Sequence, residues 1–265
     1  MGKADATRDV TIPPNSVIAL DFDGVLCDSA VETGLTAWRA GRQVWPEWRT
    51  PAPPGPVLER FLGLRPLLET GYQSIPLMRL AWEGAGLDDL KDCFASKADE
   101  TTARAGRQRQ DMLELFGTTR DRWIATDLDG WLAAHRFYPR VVAAVDRLQR
   151  RHRILVISTK QERFLLQLLR GTPLTLPRDH VFGLETGKSK ATILGEVLAS
   201  ADGSYGVAFV EDRLDTLVDV AAQPALRPVT LFLAAWGYNT PAERAQAQAS
   251  DRIALLDLPD LDTWQ

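Results

Sequence analysis

Short apolar runs recur along the chain at Val17–Phe22, Ile154–Ser158, Val181–Gly183, Tyr205–Val210 and Val229–Ala234. They are rich in Val, Ile and Leu and lack the alternation of a half-exposed strand, so they read as strands buried on both faces, the type that builds parallel sheets. Stretches of helical period separate the later ones: Pro139–Arg150, Gln161–Leu169, Lys190–Ser200 and Leu214–Ala222. Pro139 suits the first turn of its helix, where a missing N–H costs nothing. Strands alternating with helices of this length predict an α/β fold, a Rossmann-like doubly wound parallel sheet of about five strands.

The interval from Asp21 to Ser158 is far too long for one crossover. It is rich in Trp and Leu at helical spacing, has few β-branched runs, and carries a Pro-rich loop at Pro51–Pro56. An inserted, mostly helical domain is therefore expected. The predicted division is a catalytic core of residues 1–30 and 136–265 with a helical cap of residues 31–135. A lid of this kind excludes water from a crevice.

Composition narrows the partners. The chain has 265 residues, 31 basic against 35 acidic, with a formal net charge of −4. No basic excess points to nucleic acid or to an anionic membrane surface, so any anion site must be local. Only Cys27 and Cys93 occur, which gives no disulfide framework and no metal-binding spacing. Met1–Pro14 is polar without an apolar core, and no stretch approaches the ~18 apolar residues of a membrane span. A cytoplasmic protein is expected.

The chemistry concentrates where the apolar runs end. Asp21-Phe22-Asp23-Gly24 closes the first run with two carboxylates one residue apart. At the carboxyl end of a parallel strand both can aim into the crevice where open α/β sheets bind ligands. One can attack while the other handles protons. A calcium loop would need further acidic positions and a closing Glu, and none follow. Ser158-Thr159-Lys160 ends the second run with hydroxyls and backbone N–H groups suited to phosphate oxygens, although Ser and Thr are also ordinary helix caps. Gly187-Lys188-Ser189-Lys190 offers ammonium groups beside a helix start, and Glu211-Asp212 ends the fourth run with two more carboxylates. So much negative charge is costly without a cation. Hard oxygen donors with no His or Cys fit Mg²⁺ better than Zn²⁺.

These four elements, in this order at strand ends, resemble the haloacid dehalogenase superfamily: Asp21-Phe22-Asp23-Gly24-Val25 as its first motif, Ser158 as its second, Lys190 or Lys188 as its third and Glu211-Asp212 as its fourth. Blocks at Arg65–Gly71, His135–Pro139, Val210–Leu217 and Ala235–Thr240 extend the likeness to a poorly characterised hydrolase branch of that superfamily. The resemblance implies that Asp21 is the nucleophile forming an aspartyl-phosphate and Asp23 the acid/base. It implies that Asp21, the Asp23 carbonyl and Asp212 hold Mg²⁺, with Glu211 beside them, and that Ser158, Thr159, Lys190 and Gly24 receive the phosphate. Of the two lysines Lys190 is preferred, because it sits closer to the helix.

A carboxylic acid at position 23 favours C–O–P chemistry over dehalogenation or phosphonate cleavage. The expected activity is hydrolysis of a small phosphorylated metabolite. The alternatives are a phosphomutase and, on a retired fold, a non-catalytic phosphate-binding module. Arg65 and Glu69, four apart in Phe61–Thr70, share a face if that segment is helical. With Lys160 or Arg163 they are candidates to meet the part of the substrate remote from phosphate. Asp127-Leu128-Asp129-Gly130 copies the first motif but follows a poor strand, so it reads as a helix start or loop. Cys27 reads as a small buried residue, His152 as solvent-exposed, and the tryptophans as core.

Overall fold

The computed structural model describes residues 12–200, 205–262 and 264. The polar amino-terminal stretch through residue 11 lies outside them. The chain divides into two compact units, one of Met1–Leu26 with Phe137–Gln265 and one of Cys27–Arg136. The inserted unit thus begins at Cys27 rather than at residue 31.

The first unit is built on β1 (Val17–Leu20), β4 (Arg153–Ile157), β5 (Val181–Phe182), β6 (Val207–Glu211), β7 (Val229–Ala234) and β8 (Ile253–Leu256). Two short strands, β2 (Cys27–Asp28) and β3 (Arg136–Phe137), pair separately. The six strands lie in the order β5-β4-β1-β6-β7-β8, and every neighbouring pair is parallel. β1 is interior, and all four of its residues are buried, as an unalternating Val-Ile-Ala-Leu run requires. Its register sets Leu20 beside Val156 of β4 and Val210 of β6, so the carboxyl ends of these three strands share one edge.

Helices Pro139–Leu148, Glu162–Leu169, Lys190–Ser200 and Leu214–Ala221 follow the periodic stretches closely. Their apolar residues, among them Leu194, Leu214 and Leu217, pack on the sheet with Ala19, Phe209 and Leu231. Among the described residues the sheet has six strands, the five expected runs and one more. β8 escapes pattern reading because it is short, lies at the edge, and leaves Ala254 and Leu255 only partly buried. His152 is buried at 6% exposure, not solvent-exposed. Its position directly before the sheet-forming Arg153 draws it inward with the strand.

The inserted unit is helical: Ala30–Gly41, Gly55–Gly63, Ser74–Glu83, Leu87–Leu90, Phe94–Arg104, Arg109–Thr126 and Leu128–Ala133. Trp38, Phe61, Ile75, Met78, Met112 and Phe116 fill its core. Trp38 and Trp48 stack with ring centroids 4.3 Å apart, which accounts for part of the tryptophan content as packing. Within this core lies a buried ion pair, Arg120 to Glu32, at 2.6 Å.

Two local expectations resolve here. Asp127 caps the helix Leu128–Ala133 by accepting from the Gly130 N–H at 2.9 Å, so the second Asp-Leu-Asp-Gly is a helix start. Arg65 and Glu69 do not share a helix face. The helix Gly55–Gly63 ends first, Arg65–Leu67 form a 3₁₀ turn, and Leu68 is extended. Pro66 explains the break, since the residue before a proline is disfavoured in the α conformation. Gln73 then holds the following backbone, accepting from the N–H groups of Glu69 and Thr70.

Candidate active site

The site is assembled on the first unit, at the edge where β1, β4 and β6 end. Asp21 follows β1 directly, its N–H donating to Val210 O at 2.9 Å. The chain then turns through Gly24, whose φ of 84° favours glycine. A Cβ there would stand 1.9 Å from Asp212 Oδ2. Gly24 therefore lets the first loop lie directly on the Asp212 carboxylate.

Glu211, the last residue of β6, and Asp212, which follows it, are 0% and 2% exposed. Each is held differently. Glu211 Oε1 accepts from the N–H groups of Asp212 and Arg213 at 3.1 and 3.2 Å, and its Oε2 meets Lys190 Nζ at 2.6 Å. Asp212 Oδ2 accepts from the Tyr238 N–H at 2.8 Å, and its backbone carbonyl accepts from Asn239 Nδ2 at 3.0 Å. Asn239 Nδ2 also donates to Ala234 O at 2.8 Å, which ties the loop after β7 to the end of its own strand.

Lys190, the first residue of its helix, also places Nζ 2.9 Å from Asp21 Oδ1. One ammonium thus bridges the carboxylates that follow β1 and end β6. Lys188 pairs instead with Glu196 on an exposed surface, so of the two lysines Lys190 alone has a described contact with these carboxylates. Ser158 is buried and accepts from the Lys160 N–H at 3.1 Å, while Thr159 is exposed. Lys160 is not exposed as Arg163 is. Its side chain is 2% exposed and its Nζ lies 3.2 Å from Asp23 Oδ1. Arg163 is exposed and pairs with Glu185 at 3.5 Å.

The electrostatics follow from this crowding. Burial pushes the Asp21 carboxyl up to about 7; Lys190 opposes the rise, and Glu211 and Asp23 add to it. Burial opposes the charge on Lys190, but Asp21 and Glu211 outweigh it and raise its pKa. Asp21, Glu211 and Asp212 each offer a carboxylate oxygen, all within 4.8 Å of one another. A single ammonium leaves this cluster with excess negative charge, so its oxygen donors fit a hard divalent cation such as Mg²⁺.

Tyr238 and Asn239 were missed as site residues by motif reading. They act through a backbone N–H and a side-chain amide, which no residue-type pattern marks. The available signals were their place in the Ala235–Thr240 block and their position after the end of β7, on the same edge of the sheet.

No family model matches the chain, and no curated protein does. Solved structures do. A haloacid dehalogenase-like family hydrolase from Streptococcus pneumoniae is 12% identical, with 94% of this chain and 97% of that one covered at a TM-score of 0.56. A predicted phosphoglycolate phosphatase from Haemophilus somnus is 17% identical over 94% and 97%, at 0.57. A predicted phosphatase from Clostridium acetobutylicum is 13% identical over 95% and 98%, also at 0.57. The chain therefore has the fold of the haloacid dehalogenase-like hydrolases.

Proposed function

We propose that this chain is a Mg²⁺-dependent phosphohydrolase of the haloacid dehalogenase superfamily, cleaving a small-molecule phosphomonoester in the cytoplasm. The observation that carries the reading is Lys190 bridging Asp21 and Glu211, with Asp23 following Asp21 by two residues and Asp212 cradled against Gly24.

In this reading an Asp21 carboxylate oxygen attacks phosphorus as the ester P–O bond breaks, and Asp23 gives its proton to the leaving oxygen. Asp23 then takes a proton from water, whose oxygen attacks the phosphorus of the aspartyl-phosphate. The bond to Asp21 breaks, and free phosphate leaves. Lys190, the Ser158 hydroxyl and the backbone about Thr159 and Gly24 balance and orient the phosphoryl oxygens. Asp21, the Asp23 carbonyl and Asp212 would hold Mg²⁺, beside Glu211, and the ion would neutralise charge on the phosphoryl group. Choice of substrate is assigned to the inserted unit, with Arg65 and Glu69 as candidates, and to Arg163.

The test is a panel of phosphorylated metabolites with Mg²⁺, read as released phosphate. Asp21→Asn should abolish release while circular dichroism stays unchanged. Release by Asp21→Asn at near the wild-type rate would overturn the assignment.

A further inference from the structure

A cavity of about 840 Å³ lies wholly within the inserted unit, and its wall includes Arg39, Arg42, Arg49 and Arg122. Asp127 is the only carboxylate in that lining. It is engaged elsewhere, with one oxygen accepting from the Gly130 N–H and the other from Trp123 Nε1. None of the four guanidinium groups forms an ion pair with a described residue. Four positive charges thus face one negative charge.

The arginines are not equally placed. Arg39 lies over the Trp123 ring with its Cζ 3.4 Å from the centroid, and Arg42 donates through Nε to Trp48 O at 3.3 Å. These contacts hold two planar forks, although of the four only Arg39 is partly buried, and Arg42, Arg49 and Arg122 are exposed. Burial pulls the Arg39 pKa down, and the nearby charges of Asp127 and Glu32 only partly offset it. Trp48, 2% exposed, adds an indole N–H with no acceptor among the described residues. Gln43, just past the helix Ala30–Gly41, donates to Thr119 Oγ1 at 3.3 Å and ties that turn to the helix Arg109–Thr126.

The four arginines offer donors and positive charge, the Trp48 indole offers a further neutral donor, and a guanidinium fork matches the oxygens of a phosphate or carboxylate. We propose that this cavity is a second anion site, one that binds an oxyanion carrying two or more negative charges, of the phosphate or polyphosphate class. The site rests on residues of the inserted unit alone and is independent of the hydrolytic reading.

Inorganic pyrophosphate in the presence of EDTA is the probe, and the indole N–H resonances of Trp48 and Trp123 are the local readout, assigned with Trp48→Phe and Trp123→Phe. Millimolar pyrophosphate at low salt should shift both resonances, and added NaCl should weaken the binding. Arg49→Ala/Arg122→Ala should raise the dissociation constant about tenfold or more, with hydrolysis of a small generic phosphate unchanged. Arg122→Gln, a milder change, should raise it less. Two results would overturn the site: no shift of either indole at about 10 mM pyrophosphate, roughly 10⁴-fold above a micromolar dissociation constant, or shifts that both arginine variants leave intact.

Discussion

Lys160 Nζ lies 3.2 Å from Asp23 Oδ1, and the lysine side chain is 2% exposed while that of Asp23 is 17% exposed. A buried ammonium against a partly open carboxylate fixes where that carboxylate points. Lys160→Met is therefore expected to slow turnover by about 10–10²-fold, the worth of one charged hydrogen bond. The loss should be larger for an alkyl phosphate than for p-nitrophenyl phosphate, whose leaving group needs less protonation. Lys160→Arg should recover part of the rate. Equal losses for both substrates, with a lowered thermal midpoint, would reduce Lys160 to a packing residue.

Glu211 and Asp212 are adjacent but are held by different partners, which separates their expected phenotypes. Glu211 is occupied by two backbone N–H groups and Lys190, so Glu211→Gln should impair positioning of Lys190 with little change in the Mg²⁺ concentration required. Asp212→Ala should raise that concentration more strongly. Activity in EDTA, restored by titrated Mg²⁺, measures both. Full activity in chelator, or equal shifts for the two variants, would contradict the metal assignment.

The first motif was legible because chemistry and pattern coincide there: an apolar strand ends and two carboxylates follow. Lys190 was legible from its place at a helix start. Lys160 was legible as a candidate but for the remote end of the substrate, and its contact with Asp23 was not, because a lysine just beyond a strand looks solvated until its burial is seen. Arg65 and Glu69 matched a helical spacing that Pro66 interrupts, so local stereochemistry overrode periodicity. Glu211 is the last residue of β6, where a charged residue reads as the end of the run, and Lys190 with two backbone N–H groups makes its burial tolerable. Tyr238 contributes a main-chain N–H, which any residue type except proline would supply.

Asp21 also makes a prediction about pH. Its carboxyl, pushed up to about 7 in the fold, titrates near ~4 in the unfolded chain. Between those values the folded protein holds a proton that the unfolded chain has released. The contribution of Asp21 to stability is thus complete below the unfolded value and is lost as pH rises toward the folded one. In EDTA, the thermal midpoint of the wild type relative to Asp21→Asn should fall as pH is raised across about 5 to 7.5. Mg²⁺ at the upper end should recover the difference. A wild-type midpoint that tracks the variant at every pH would show that Asp21 ionises without penalty.

The buried pair in the inserted unit carries a stability prediction of its own. Arg120 donates to both oxygens of Glu32 at 2.8 and 2.6 Å, and Glu32 Oε1 also accepts from Thr36 Oγ1 at 2.7 Å and Trp131 Nε1 at 3.1 Å. Removing one partner strands the other charge in an apolar core, which costs about 3–5 kcal/mol, whereas replacing both with apolar groups avoids that penalty. Arg120→Met should therefore lower the thermal midpoint sharply, and Glu32→Leu/Arg120→Met should lie closer to the wild type than either single variant. Recovery should stop short of complete, because the double variant leaves the Thr36 hydroxyl and the Trp131 N–H without their acceptor. If the two single losses simply add in the double variant, the groups are not coupled and the stranded-charge argument fails.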